Sequence, residues 1–420
     1  MKRNKILTVI WLLVFVTMGS MATSCHSNVE KPIVEEEVMP PCKIILTEHQ
    51  RAFVSGSNAF AFCFLETVNS ENTDGKSFVF SPLSIAYALS MVNDAAEGLT
   101  RKELQNTLGL GDAETADINM FYKILIDSMP MVDPKVRFHI ANAIFLNQDY
   151  TLKKQFRHDM QNYYDAQAEA LDFTSPKSLG IINSWCNNHT NGMIPRIIEC
   201  IDDPFAVSYL LNAIYFKADW EYPFEESLTE ADTFTTANGP IMLPLMWNDE
   251  KYRYMNNDIF SAVDIPYGNG EWSMTVMLPE EGRSVDDVVD YLAKDGLSLL
   301  SESRYRPVYL KLPRFETESE TSDLIGTMKK MGILRAFDNA SSEIPNMCNA
   351  NVYISMMLQK AHIKVDEKGS EAAAVTIVKT EPTSSHIEQP VTFHANRPFV
   401  YVIREASSGV VFFVGKFTGR

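Results

Sequence analysis

Cysteine is scarce in this chain, six among 420 residues, and no two of them form a C-x-x-C pair. Apart from Cys25, the cysteines at 42, 63, 186, 200 and 348 are odd in number and irregularly spaced. That excludes a disulfide framework and a zinc-ribbon site. Cys63 and Cys186 stand among apolar or aromatic neighbours and are expected as buried thiols, while Cys42 leaves a single bridge to another surface cysteine open. Basic residues are also in deficit, 37 Lys and Arg against 54 Asp and Glu, for a formal net charge of -17. A phosphate backbone or an anionic bilayer would repel such a chain, so no nucleic-acid partner is expected. The eight histidines are scattered singly, and His189 and His362 read as surface or sheet-edge residues. There is no H-E-x-x-H, no G-x-S-x-G elbow, no Walker loop and no G-x-G-x-x-G. Nothing assembles a nucleophile, a base and an orienting group, which argues against an enzyme, and no metal or cofactor is expected.

What is present begins with an export signal. Lys2, Arg3 and Lys5 precede the apolar stretch Ile6 to Met18, and Ala22-Thr23-Ser24-Cys25 follows. The apolar centre is too short for a confident membrane span, so residues 1–24 read as a signal peptide. The small-small-Cys ending resembles a bacterial lipobox, with Cys25 lipidated as the first mature residue; a plain signal peptide with an incidental cysteine is the alternative. Residues 25–45, rich in Glu and Pro, read as a solvated tether. Its acidic run resembles the surface-export signals of Bacteroidetes-type lipoproteins. The expected location is therefore the outer membrane, lipid-anchored and facing outward.

Residues 46–420 contain no convincing Pro/Gly/Ser linker and are expected to fold as one unit. Helical periodicity dominates the first half: His49 to Val68, a helix opened by Ser81-Pro82, one capped by Thr100 with Glu103 as its capping-box partner, and others over 118–128, 153–164 and 177–188. Strand-like runs dominate the second half and include Asn351 to Val365 and three closing strands from Val391 to Lys416. The absence of a β-α-β rhythm predicts an α+β protein with large, mostly antiparallel sheets.

One stretch resists a single assignment. From Ser370 to Thr380, every second residue (Ser370, Ala372, Ala374, Thr376, Val378, Thr380) is small or β-branched and uncharged. The other set, from Glu371 through Ala373 to Lys379 and Glu381, holds every charge. That is a strand's period of two, yet the segment runs straight into Pro-Thr-Ser-Ser like a loop. Both readings together describe a switch; an ordinary edge strand or the start of an Ala-rich helix is the plainer alternative.

Several separated motifs resemble those of serpins, and in the family's order. They are Phe80-Ser81-Pro82-Leu83-Ser84-Ile85, Asn183-Ser184-Trp185 with Asn191-Gly192-Met193-Ile194-Pro195, and Leu211-Asn212 through Trp220. The segment Val365 to Ala374, Asn396-Arg397-Pro398-Phe399 and Phe413-Val414-Gly415-Lys416 complete them. The resemblance implies about nine helices, three mostly antiparallel sheets and a mobile reactive loop at about 367–390. It also implies an irreversible inhibitor: a protease cuts the loop, forms an acyl-enzyme, and is trapped as the freed loop inserts into the central sheet. The implied hinge is Glu367, Gly369, Ser370, Ala372, Ala373 and Ala374, with no charge or bulk on its inward face. Ser81, Ser84, Asn212, Trp220 and Gln359 would control the opening of the sheet. Gln359 stands where the family often has histidine, which puts a pH-sensitive opening in doubt.

The reactive bond is less definite. The family count places it at Thr383-Ser384. A trypsin-like protease can cut only Lys379-Thr380, since Lys379 is the sole Lys or Arg between Gly369 and Arg397. The expected partners are trypsin-like enzymes at Lys379 and elastase-, subtilisin- or papain-like enzymes at Val378, Thr380 or Thr383. A non-inhibitory surface binding protein of the same fold is the rival reading. A monomer is expected.

Overall fold

The computed structural model describes residues 42–321, 324–370 and 389–419. Eight α-helices lie among them: α1 (Glu48–Glu71), α2 (Pro82–Ala95), α3 (Gly98–Thr107), α4 (Thr115–Val132), α5 (Lys154–Tyr164), α6 (Pro176–His189), α7 (Val285–Asp295) and α8 (Leu324–Lys330).

The strands form two hydrogen-bonded sheets. The smaller contains β2 (Arg137–Asn147), β3 (Gln167–Leu171), β4 (Ser208–Asp219), β10 (Phe315–Thr321) and β11 (Met356–Val365), in the order β10-β11-β4-β2-β3. A two-residue strand, β12 (Gly369–Ser370), pairs with the end of β4. The larger contains β1 (Phe78–Phe80), β5 (Glu230–Thr236), β6 (Gly239–Asn256), β7 (Phe260–Tyr267), β8 (Trp272–Pro279), β9 (Arg304–Pro313), β13 (Val391–His394), β14 (Phe399–Glu405) and β15 (Val411–Phe417). Its order is β1-β15-β14-β8-β7-β6-β9-β13, with β5 on β6. The three expected sheets appear as two networks because β6 is shared. Its first half pairs with β5, its second half with β9, and its last residues with β7.

The six-stranded sheet is buried on both faces. Along β4, Leu210, Ile214, Phe216 and Ala218 enter the main core. Their alternates Tyr209, Leu211 and Ala213 join a second cluster under α6 with Ile182 and Trp185. The main core also holds α2, whose residues are buried on nearly every side, as befits a helix that is apolar all round. Pro82 occupies its first turn, and the Ser81 hydroxyl accepts the Ser84 amide at 3.3 Å.

Several local expectations are corrected by tertiary partners. Thr100 does not cap α3, which starts at Gly98 behind Glu97. It is buried instead and accepts the Glu343 amide at 2.9 Å, while the Glu103 carboxylate accepts the amides of Leu334 and Arg335. Capping boxes are formed instead by Thr47 with Gln50 at the start of α1 and by Ser284 with Asp287 at the start of α7. Cys63 is exposed, unlike the buried Cys186, because aromatic neighbours in sequence point elsewhere when each helical residue turns by about 100°. Strand β11 starts at Met356, not Asn351. His362 lies on this interior strand, half-buried and bonded to Glu316 at 2.8 Å, and not at a sheet edge. The packed chain also reaches back to Ile44, whose amide donates to Ser407.

Candidate functional site

The site lies where β4 and β11 meet. They are parallel and paired over six residues, from Met356 with Tyr209 to Ala361 with Ile214. Beyond that ladder the chain leaves β11, turns at 366–368, and returns as β12 antiparallel to β4, with Gly369 opposite Asp219 and Ser370 opposite Ala218. The Asp366 carboxylate shapes the turn by accepting the Lys368 and Gly369 amides at 3.0 and 3.3 Å. Gly369 is required there, because a Cβ would fall 2.1 Å from the Ala218 carbonyl oxygen and 2.6 Å from the Asp219 Cα. No side chain fits such an approach. Ser370 is 1% exposed and its hydroxyl lies 2.9 Å from that of Tyr267.

Trp220 closes the top of this gap. Its indole N–H donates to the Asp366 carbonyl at 2.9 Å, its amide donates to the Lys368 carbonyl at 2.8 Å, and its ring stacks on Tyr267 with centroids 4.2 Å apart. Glu367 anchors the turn from the other side. Its carboxylate accepts the Thr229 hydroxyl at 2.7 Å and the Arg314 guanidinium. Burial alone would push this carboxyl up. The hydrogen bonds from Thr229, its own backbone and Arg314 outweigh burial and hold it below the ordinary glutamate value. A carboxyl depressed in the folded state contributes stability that is complete above its unfolded pKa and is lost as pH falls through the folded one. Acidification below about pH 4.5 is therefore expected to release the hinge. Amide exchange at Gly369 and Ser370 would quicken in the wild type, whereas Glu367→Gln would start loosened and lose this acid response. An unchanged pH response in the variant would assign the release to another group.

Lower in the sheet, a row of amides crosses three strands. Gln359 on β11 donates to the Asn212 side-chain oxygen at 2.6 Å, and Asn212 on β4 donates to that of Asn142 on β2 at 2.7 Å. Gln359 also accepts the Ser81 amide and donates to the Ser81 carbonyl, both at 3.0 Å. Asn212 further donates to the hydroxyl and carbonyl of Ser84. Ser81, Ser84, Asn212 and Gln359 thus meet as one buried network that ties β4, β11 and the start of α2 together. In this network glutamine replaces the histidine frequent in the resembled family and uses both its donor and acceptor.

Residues Ala372, Ala373, Ala374, Val378, Lys379, Thr380, Thr383 and Ser384, and Cys25 near the N-terminus, lie outside the described residues. Sequence reasoning missed Arg314, Thr229, Tyr267 and Asn142. Each is remote in sequence from its partner, and no local pattern marks it. Asn191 carries a signal that sequence can explain: it adopts φ 50° ahead of Gly192 at φ 80°, a left-handed conformation that asparagine tolerates. Among the described residues, no group of three His, Cys, Asp or Glu could hold a metal, and no helix is long and apolar enough to cross a membrane.

Comparison with known proteins agrees with this geometry. The family model described as Serpin (serine protease inhibitor) matches residues 55–419. A serpin-like protein of Thermococcus kodakarensis is 29% identical over 427 residues, covering 99% of this chain and 98% of its own. The native crystal structure of the thermophilic serpin tengpin superposes with a TM-score of 0.80 at 27% identity, covering 90% of this chain and 96% of that one. Human thyroxine-binding globulin, crystallised with its ligand, superposes with a TM-score of 0.79 at 26% identity, covering 88% and 98%. With the matched family model spanning nearly all of the described residues, the chain belongs to the serpin family of serine protease inhibitors.

Proposed function

We propose that this protein is an irreversible suicide-substrate inhibitor of serine endopeptidases, with papain-like cysteine proteases as a further target class. The observation that carries the reading is the seat of Ser370, buried between β4 and β11 in register with Ala218. Continuing that register one residue at a time sets Ala372 opposite Phe216, Ala374 opposite Ile214, Thr376 opposite Asn212 and Val378 opposite Leu210. These β4 residues are buried on the core side, so the small, uncharged set enters the core. Glu371 falls opposite Lys217 on the other face. Insertion replaces a parallel ladder by antiparallel pairing on both sides of the new strand, which is more stable per residue.

The chemistry belongs to the target. Its nucleophile attacks the scissile carbonyl and forms an acyl-enzyme, and the severed loop is free to insert and drag the protease along. Hydrolysis of the ester needs an intact oxyanion hole and base, and deforming either one halts it. This chain supplies no catalytic group; it supplies stored strain, held kinetically until the loop is cut.

The register also sets how far the link travels. A cut after Lys379 brings it opposite Tyr209, which pairs with Met356 at the last rung of the β4–β11 ladder. A cut after Thr383 carries it four residues further, about 13 Å, to the level of Phe205, which is 85% exposed. Denaturant-resistant complexes are therefore expected with both a trypsin-like and an elastase-like protease, and with a lower stoichiometry for the cut at Thr383. Mass spectrometry of the released C-terminal peptides would assign the bonds. Cleavage with neither a resistant complex nor a large rise in melting temperature would defeat inhibition. It would favour the second reading, a non-inhibitory binding protein, which the likeness to thyroxine-binding globulin keeps in view. In either role we place the protein as a monomer on a lipid anchor at Cys25, at the outer face of the outer membrane.

A further inference from the structure

The C-terminal end of α6 rests on the smaller sheet through a pair of histidines. His189, in the last turn of α6, stacks on His139 of β2 with ring centroids 5.6 Å apart and planes inclined by 20°, and both side chains are half-buried. The His189 Nδ1 lies 2.7 Å from the Trp185 carbonyl oxygen, so in the neutral ring this nitrogen carries the proton and donates it there. Trp185 in turn packs against His189 at 5.6 Å and edge-on against Phe145 of β2 at 6.0 Å. The helix covers more than β2. Its buried residues share one apolar cluster with Ile194 and Ile197 of the segment that follows it, with Leu211 of β4 and with Leu358 of β11. From β11 the Lys360 ammonium donates to the Arg196 carbonyl at 3.3 Å. The helix and its trailing segment therefore span the seam between β4 and β11, and the histidine stack fastens one end of that span.

We propose that the His139–His189 stack is an acid-sensitive latch, and that its protonation drives the end of α6 off the sheet at mildly acidic pH. Two neutral imidazoles stack as apolar rings, whereas two imidazoliums at this spacing are like charges in a partly desolvated contact. The second proton is taken up freely only once the rings separate, so uptake belongs to the pair and is coupled to release. The surroundings do little to neutralise it. On the same sheet face, Arg137 lies two residues from His139, Tyr215 of β4 lies opposite it, and Lys217 opposite Arg137, with Asp219 beyond. On β11, His362 falls level with Tyr215 when the β4–β11 register is continued by one residue, and Glu316 already engages it at 2.8 Å. The one other charge on α6 is Lys177, twelve residues and so about 18 Å along the helix from His189. Of the carboxylates on this side, Asp165 at the end of α5 is exposed, and Glu169 on β3 already accepts the Gln167 amide at 2.7 Å. Burial first, and His189 second, hold the His139 imidazole below the ordinary histidine value, with Asp165 opposing them more weakly. Such a group contributes stability that is complete above its unfolded pKa of about 6.5 and is lost as pH falls through the folded one. Because α6 spans the seam, release of its end also unfastens β4 from β11.

Hydrogen exchange of the uncut full chain tests the latch with no protease present, so its outcome is independent of the inhibitory reading. After correction for the intrinsic pH dependence of exchange, amides in the last two turns of α6 are expected to open at least tenfold more often at about pH 5 than at about pH 7.5. Those of the buried α2 should not change. The release expected at Glu367 lies lower, below about pH 4.5, and is read from different amides. His139→Phe keeps a ring in the stack without a titrating group and is expected to flatten the α6 profile. His189→Gln is expected to do the same from the other side, and serves if the first variant packs poorly. His362→Gln should respond as the wild type does. A flat profile in the wild type would overturn the proposal. So would a profile that rises as steeply in His139→Phe and His189→Gln as in the wild type, or one that only His362→Gln abolishes.

Discussion

On the inhibitory reading proposed above, replacing Ser370 by arginine is expected to turn this protein from a trap into a substrate. The serine is the first residue of the segment inside the sheet, 1% exposed, with its hydroxyl on Tyr267 and its backbone on Ala218. Burial already pushes the Tyr267 phenol far above its ordinary pKa, so it offers no negative charge to a guanidinium. An unpaired charge forced into this position costs several kcal/mol. Insertion must pass through it before any later residue can pair. A penalty of about 3–5 kcal/mol on that step slows insertion by roughly 10²–10⁴-fold, whereas ester hydrolysis in the bound protease is untouched. The protease should cut Ser370→Arg at a rate within a few fold of wild type, with stoichiometry rising at least tenfold and the denaturant-resistant band lost. Ser370→Thr is the control, since it keeps the hydroxyl. One-to-one trapping by the arginine variant would remove Ser370 from the path of insertion.

The second large effect is expected at Gln359. Its side chain makes three hydrogen bonds, to the amide and carbonyl of Ser81 and to the Asn212 side chain, and it is fully buried. Gln359→Leu leaves two buried groups without partners, the Ser81 amide and the Asn212 side-chain oxygen, while the Ser81 carbonyl keeps the Ile85 amide at 3.1 Å. Each loss is worth about 1–3 kcal/mol and the two are not additive. The uncut protein is expected to lose about 2–5 kcal/mol, and its melting temperature to fall by several degrees. On the inhibitory reading β4 and β11 part along this same line, so spontaneous loss of inhibitory activity at 37 °C should also quicken. In the cut form Thr376 would sit between Asn212 and position 359, and its hydroxyl can serve the Asn212 oxygen. Cleavage should therefore restore part of the lost stability, and Thr376→Val in the same background should remove that recovery. Equal losses before and after cleavage in both backgrounds would mean that the network does not distinguish closed from inserted sheet.

Gln359 also bears on pH. Glutamine does not titrate, so the central network gives the sheet no protonation switch of its own. The acid response expected at the hinge belongs to Glu367, whose carboxyl is held low against its burial by Thr229 and Arg314. Two controls on one sheet thus differ in kind. The upper is electrostatic and is expected to answer to acid; the lower is a neutral hydrogen-bond network and is not.

How much of this was legible in the sequence depends on how local the cause is. The alternation from Ser370 to Thr380 is a property of the chain alone, and it identifies which face of an inserted strand could be buried. Pro82 behind Ser81 is local as well, and its helix formed where propensity put it. The capping of α3 by Thr100, the burial of Cys63 and the start of β11 at Asn351 were read wrongly because tertiary packing decides them. Each depends on how an element packs: Thr100 is taken by the remote Glu343, the exposure of Cys63 is set by the face that α1 turns outward, and the start of β11 by its ladder with β4, which begins at Met356 opposite Tyr209.

The sequence by itself determined that the segment after Val365 can be both loop and strand, that its inward face is small and uncharged, and that glutamine stands at 359. Only the tertiary structure decided where that strand begins and how far it can run. Gly369 and Ser370 are held opposite Asp219 and Ala218 by close backbone contact, by Trp220 and Tyr267, both distant in sequence, and by the bonds of Glu367 to the equally distant Thr229 and Arg314. Register is a relation between two strands. No single strand's composition contains it, because shifting the partner by one residue leaves every local preference unchanged and turns every side chain to the opposite face.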